Sequence, residues 1–182
     1  ADAGYPGGRG FPKTEFWLRV ADTNINKIAG EAIEAMLRET LGITVDIKYQ
    51  QRTVYNDNLY QWTIPFGMLA FAYDYPDPSN MLGLLWRSQP IKYGRHDWLN
   101  PEFDRLVDQA NTEMDATTRY DLYTQAEKVL IEDVGAVFLF YPINTELRKP
   151  YLRGLKKNTK GEEVPLISIQ TVNFPSVYIG KH

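Results

Sequence analysis

Cysteine is absent from the 182 residues. That excludes disulfides, thiolate catalysis and thiolate-ligated zinc, and it fits an oxidising or a reducing compartment equally. Histidine is scarce, with only two: His96 in a polar stretch and His182 at the end of the sequence. Neither accompanies a nucleophile on a strand-to-helix turn, so a hydrolase has no visible centre. Charge of one sign is lacking as well. The 20 Lys plus Arg against 23 Asp plus Glu leave a formal net charge of -3, and no basic run offers nucleic acid an electrostatic footprint, so no nucleic-acid partner is expected. No apolar run approaches the ~20 residues of a membrane helix, and the start lacks a charged-then-apolar export signal. Internal repeats and low-complexity segments are also missing.

What is present suits one well-buried domain, with 43% hydrophobic and 13% aromatic residues, enough for a sizeable core. Residues 1 to 14 hold Gly4, Gly7, Gly8, Gly10, Pro6 and Pro12 and read as an irregular lead-in. Strand character starts at Glu15 and runs to Val20. After a cap at Asp22, Thr23 or Asn24, the run Ile25, Ile28, Ala29, Ala32, Ile33, Met36, Leu37 and Leu41 has helical spacing, with Gly42 as a left-handed stop. Ile43, Val45, Ile47 and Tyr49 alternate as a second strand. Strand, helix and strand in this order predict a right-handed βαβ unit with parallel strands, hence an α/β fold whose sheet is mixed, mainly parallel and flanked by helices.

Further on, Tyr55 to Trp62 reads as a short helix or loop, and Met81 to Trp86 as a short helix. Ser88 to Trp98 reads as a loop. Asn100-Pro101-Glu102 is a helix start in which Asn caps, Pro uses the position whose amide is spare, and Glu meets the positive helix end. Phe103, Leu106, Val107 and Ala110 form its inner face. A helix from about Thr117 to Asp133 turns Tyr123, Ala126, Val129 and Leu130 inward, together with Tyr120 or Leu122. Ala136 to Tyr141 predicts another strand, the stretch to Glu163 a turn-rich excursion, and Val164 to Val172 a last strand.

The stretch from Phe66 to Asp74 draws attention for function. Phe66 to Tyr73 is apolar on both faces, as in a central strand of a parallel sheet. Asp74 stands just past it, followed by Pro76 and Pro78. In open α/β sheets ligands bind outside the carboxyl ends of strands, which gives this carboxylate a place to meet one. The other use of such an Asp, to cap a helix or start a turn, is the commoner one. Asp74 and Asp77 together supply too few ligands for calcium, so no metal is expected, and no cofactor motif is present.

Three separated segments resemble the extracellular solute-binding proteins of family 5, the dipeptide- and oligopeptide-binding receptors of ABC importers. They are Ala3-Gly4-Tyr5-Pro6-Gly7-Gly8-Arg9-Gly10-Phe11-Pro12, Tyr73-Asp74-Tyr75-Pro76-Asp77-Pro78 and Leu99-Asn100-Pro101-Glu102-Phe103-Asp104. The opening segment resembles a point deep inside such receptors, and Val177 to Lys181 resembles their natural end. The resemblance therefore implies one lobe of a type II periplasmic-binding-protein clamshell, with residues 15 to 165 as the ligand-binding lobe. Residues 166 to 182 would be a tail returning to a missing first lobe.

By the same resemblance Asp74 salt-bridges the amino group of a peptide. Ala70, Phe71 and Ala72 hydrogen-bond the peptide backbone as an added strand, and Phe71 stands where the family often has Trp. The sequence departs from the family at Gln51-Arg52, where an aromatic residue is common, and at Leu59 and Met68, where some members place arginines. Arg52 is then the candidate for the ligand's far end, with a plain surface charge as its alternative. The implied role is extracytoplasmic peptide capture for an ABC importer permease, with no catalysis. A receptor for a non-peptide solute such as an oligosaccharide, and a hydrolase on a similar sheet, are the alternatives. A lobe without its partner would also expose its cleft and hinge surface, which favours self-association.

Overall fold

Apolar alternation places the first buried sheet. In β1 (Thr14–Arg19) Phe16 and Leu18 are buried on one face, and Val45 joins them from β2 (Val45–Gln50). In this computed structural model β1 and β2 pair in parallel, from Thr14 opposite Val45 to Arg19 opposite Gln50, and α1 (Ile25–Leu41) makes the crossover. The structure describes residues 2–20, 25–72, 74–141, 147–155, 157, 159–163 and 178–180. The cap expected at Asp22 to Asn24, the last strand at Val164 to Val172 and most of the expected tail lie outside them.

Two compact units make up the chain. One comprises Ala1–Tyr73 and Asp77–Gly135, the other Asp74–Pro76 and Ala136–His182. The first contains two apolar clusters. Phe16, Leu18 and Val45 form one, covered by Ile33, Leu37, Ile43, Ile47 and Met68. The helix does not settle on its isoleucine-rich face: Ile28 is 65% and Met36 64% exposed, whereas Gly30 is buried. A Cβ at Gly30 would run into Leu18 Cδ1. The glycine lets the backbone of α1 close on the sheet and turns Ile33 and Leu37 inward in place of Ile28 and Met36. Gly42 takes the expected left-handed conformation after the helix, at φ 68°.

The second cluster is helical. Leu82, from the π-helix Ser79–Trp86, packs with Phe103, Leu106, Val107 and Ala110 of α3 (Pro101–Thr112) and Tyr123, Ala126 and Leu130 of α4 (Ala116–Glu132). Asn100 caps α3 as expected, its Oδ1 accepting from the amides of Glu102 at 3.0 Å and Phe103 at 3.1 Å. Asp115 caps α4 by accepting from the Thr118 amide at 2.9 Å. Tyr120 is 52% exposed, so Leu122 is the inward residue of that pair.

Two expected strands differ. The apolar run from Phe66 contributes only β3 (Gly67–Met68), and the sheet order β2-β1-β3 makes it an edge, with β1 central. A strand lasts only as long as its backbone groups find partners. Among the described residues Leu69 to Ala72 form no backbone hydrogen bond. Ala136 to Tyr141, in the second unit, is likewise not a strand among the described residues, and Val137 and Tyr141 are 74% and 96% exposed. In that unit β4 (Leu152–Arg153) and β5 (Tyr178–Ile179) pair antiparallel, and Lys157 bridges Glu163.

Candidate functional site

The short strand β3 is held on one side only. The Trp17 amide donates to the Phe66 carbonyl at 2.8 Å, Trp17 and Leu18 of β1 pair with Gly67 and Met68, and the Phe16 and Phe66 rings stack with centroids 4.4 Å apart. From behind, the fully buried Tyr55 of α2 (Arg52–Tyr60) donates its hydroxyl to the Met68 carbonyl at 3.0 Å. Burial pushes that phenol up to about 12. No strand covers the far edge of β3 among the described residues.

Past β3 the chain carries the residues singled out from the sequence. Ala70 and Ala72 are exposed and Phe71 is half-buried. The guanidinium of Arg95 lies over the Phe71 ring, 5.1 Å from its centroid, and also 5.7 Å from that of Tyr60, whose hydroxyl accepts from Arg95 Nε at 3.1 Å. Two further bonds tie the Arg95 loop to the end of α2. The Lys92 amide donates to the Tyr60 carbonyl at 2.8 Å, and Trp62 Nε1 to the Gly94 carbonyl at 3.1 Å.

The two acids of the turn divide their labour. Asp77 makes the turn: its Oδ1 accepts from the Ser79 amide, two residues on, at 2.9 Å. Arg119 of α4 grips both its oxygens, at 2.7 and 2.9 Å, and hydrogen-bonds to that carboxylate hold it well below the usual carboxylate range. Asp74 is exposed. Arg52 stands exposed at the first position of α2, and no hydrogen bond or ion pair joins it to Ala70, Phe71 or Ala72 among the described residues. Through Tyr55 and Tyr60, α2 supports the segment instead.

Sequence reasoning missed Tyr55, Tyr60, Arg95 and Arg119. Arg95 follows Phe71 by 24 positions and Arg119 follows Asp77 by 42, and contacts at such separations leave no periodic signature.

No family model matches the chain. Individual proteins do. It is 29% identical over 153 residues to the oligopeptide-binding protein OppA of Bacillus subtilis, covering 83% of the chain and 27% of that protein. The periplasmic oligopeptide-binding protein OppA of Salmonella typhimurium is 27% identical over 182 residues, 100% of the chain and 31% of the relative. Among solved structures, the Escherichia coli murein tripeptide binding protein MppA matches 100% of the chain and 33% of its own, with a TM-score of 0.70 and 28% identity. The relatives it matches in sequence and in structure are solute-binding proteins of family 5. The resemblance read from the three sequence segments is borne out, and so is the α/β fold of a type II periplasmic-binding protein, with its parallel sheet flanked by helices. The family 5 relatives are binding proteins by name, and the chain spans between a quarter and a third of the length of the two OppA proteins, 27% and 31%.

Proposed function

We propose that the chain is the part of an ABC importer's substrate-binding protein that holds a peptide, working outside the cytoplasmic membrane and performing no covalent chemistry. The observation that carries this is the open edge of β3, continuing into a segment, Leu69 to Ala72, whose backbone groups have no partner among the described residues. An extended peptide satisfies such an edge by adding a strand, which gives affinity without reading side chains. Phe71 supplies an aromatic surface for the first ligand side chains. Asp74, two residues beyond Ala72, pairs with the ligand's amino group, since that charge leaves water cheaply only beside a carboxylate. Its exposure and the use of Asp77 in the turn support this role. Arg52 serves the far end of longer ligands.

Calorimetric titration with short unmodified peptides tests the reading, on this chain and on the chain joined to the remaining length of a family 5 receptor. Binding is expected to weaken about ten- to a hundredfold on Asp74→Ala or on blocking the peptide's amino terminus, the usual worth of a charge-assisted hydrogen bond. Silence of the joined receptor toward peptides would overturn the peptide assignment and turn attention to other solutes.

A further inference from the structure

Arg95 is half-buried in the loop between the π-helix and α3, fixed in plane and direction by the Phe71 and Tyr60 rings and by its Nε bond to the Tyr60 hydroxyl. Those contacts orient the charge without neutralising it. Arg38, Arg87, Arg105 and Arg119 each hold a carboxylate, at 2.7, 2.7, 2.6 and 2.7 Å. Arg95 holds none among the described residues, and its two terminal nitrogens make no hydrogen bond there. Nε is used and Nη1 and Nη2 are spare. That leaves the fork which takes a carboxylate through two parallel hydrogen bonds, already immobilised and partly desolvated by aromatic faces.

We propose that Arg95 is a carboxylate anchor of the binding segment, taking an acidic side chain or the terminal carboxylate of a peptide laid along Ala70 to Ala72. The proposal rests on the peptide reading above and adds to it a preference for ligands bearing a negative group. Its chemistry is specific in a second way. A lysine at the same place keeps the charge and loses both the fork and the flat face that lies on Phe71.

The test is calorimetry on the same receptor with three peptides of one apolar core, all with free amines. The first carries a glutamate and an amidated end, the second no acid and a free carboxylate, and the third neither. At least one of the first two is expected to bind about ten- to a hundredfold more tightly than the third, and which one identifies the source of the carboxylate. Arg95→Gln should erase that preference, read as the ratio between peptides on the same variant, and Arg95→Lys should keep only part of it. A urea-unfolding midpoint close to that of the parent shows that each variant is folded; if Arg95→Gln fails this check, Arg95→Lys decides alone. Equal binding of all three peptides, or a preference that survives both substitutions, would overturn the anchor and leave the peptide reading standing. Failure of every peptide to bind would remove that reading and the anchor with it.

Discussion

The guanidinium of Arg119 spans both carboxylate oxygens of Asp77, linking the turn after β3 to a helix 42 residues further along the chain. Both side chains are about a quarter exposed, 23% and 27%. The pair is therefore partly shielded from water without the full desolvation cost of a buried ion pair.

Asp77→Asn should cost about 1–3 kcal/mol in urea unfolding, since it weakens charge-assisted bonds and leaves Arg119 without its counter-charge. The acid limb gives an independent check. Asp77 is depressed in the folded chain, so its contribution is complete above the unfolded carboxylate value of about 4 and is lost as pH falls below it. The acid limb of Asp77→Asn should be flatter than that of the parent over this window.

Gly67→Ala should destabilise by about 1–3 kcal/mol, the range for overpacking. An added Cβ would meet the Tyr55 hydroxyl at 2.6 Å and Ile64 Cγ2 at 2.8 Å. The hydroxyl is already committed to the Met68 carbonyl and has little freedom to retreat. A stability equal to that of the parent would show that α2 yields.

Tyr55 makes an alkaline prediction. Its folded value is raised to about 12 from 10.0 by burial, so the unfolded chain releases this proton first. The contribution is complete below about pH 10 and falls as pH rises towards 12. Tyr55→Phe removes that dependence, at a cost of about 1 kcal/mol at neutral pH for the lost hydrogen bond. Urea unfolding at pH 8 and pH 11 compares the two slopes.

The two faces of α1 should respond in opposite ways. Ile28→Lys and Met36→Lys alter largely exposed side chains and should shift stability by no more than about 0.5 kcal/mol. Gly30→Ala should cost about 1–3 kcal/mol against Leu18. If exposed apolar side chains drive self-association, the lysine pair should also lower the sedimentation coefficient at high concentration.

Much of the fold was legible where local rules suffice. The cap at Asn100, the inner face Phe103, Leu106, Val107 and Ala110, the parallel βαβ unit and the turn at Gly42 all follow from spacing and single-residue chemistry. Legibility ended where a distant partner decides. The run from Phe66 has the composition of a central strand, but its pairing stops at Met68. The apolar spacing of α1 marks a helix without revealing that Gly30 turns it, because that depends on Leu18 of a different element. In the candidate site the linear segment was readable as far as Asp74. The aromatic and cationic side chains that Tyr60 and Arg95 bring to it came from elsewhere in the chain.

The two apolar clusters are each contiguous along the chain, one drawn from Phe16 to Met68 and the other from Leu82 to Leu130. Neither borrows a buried residue from the other's stretch. During synthesis the sheet cluster can therefore close before the ribosome has delivered the helical one, and Asp77 must wait for α4, the last helix of this unit, to supply Arg119. The turn after β3 thus stays unfastened until synthesis has reached the final helix of its own unit.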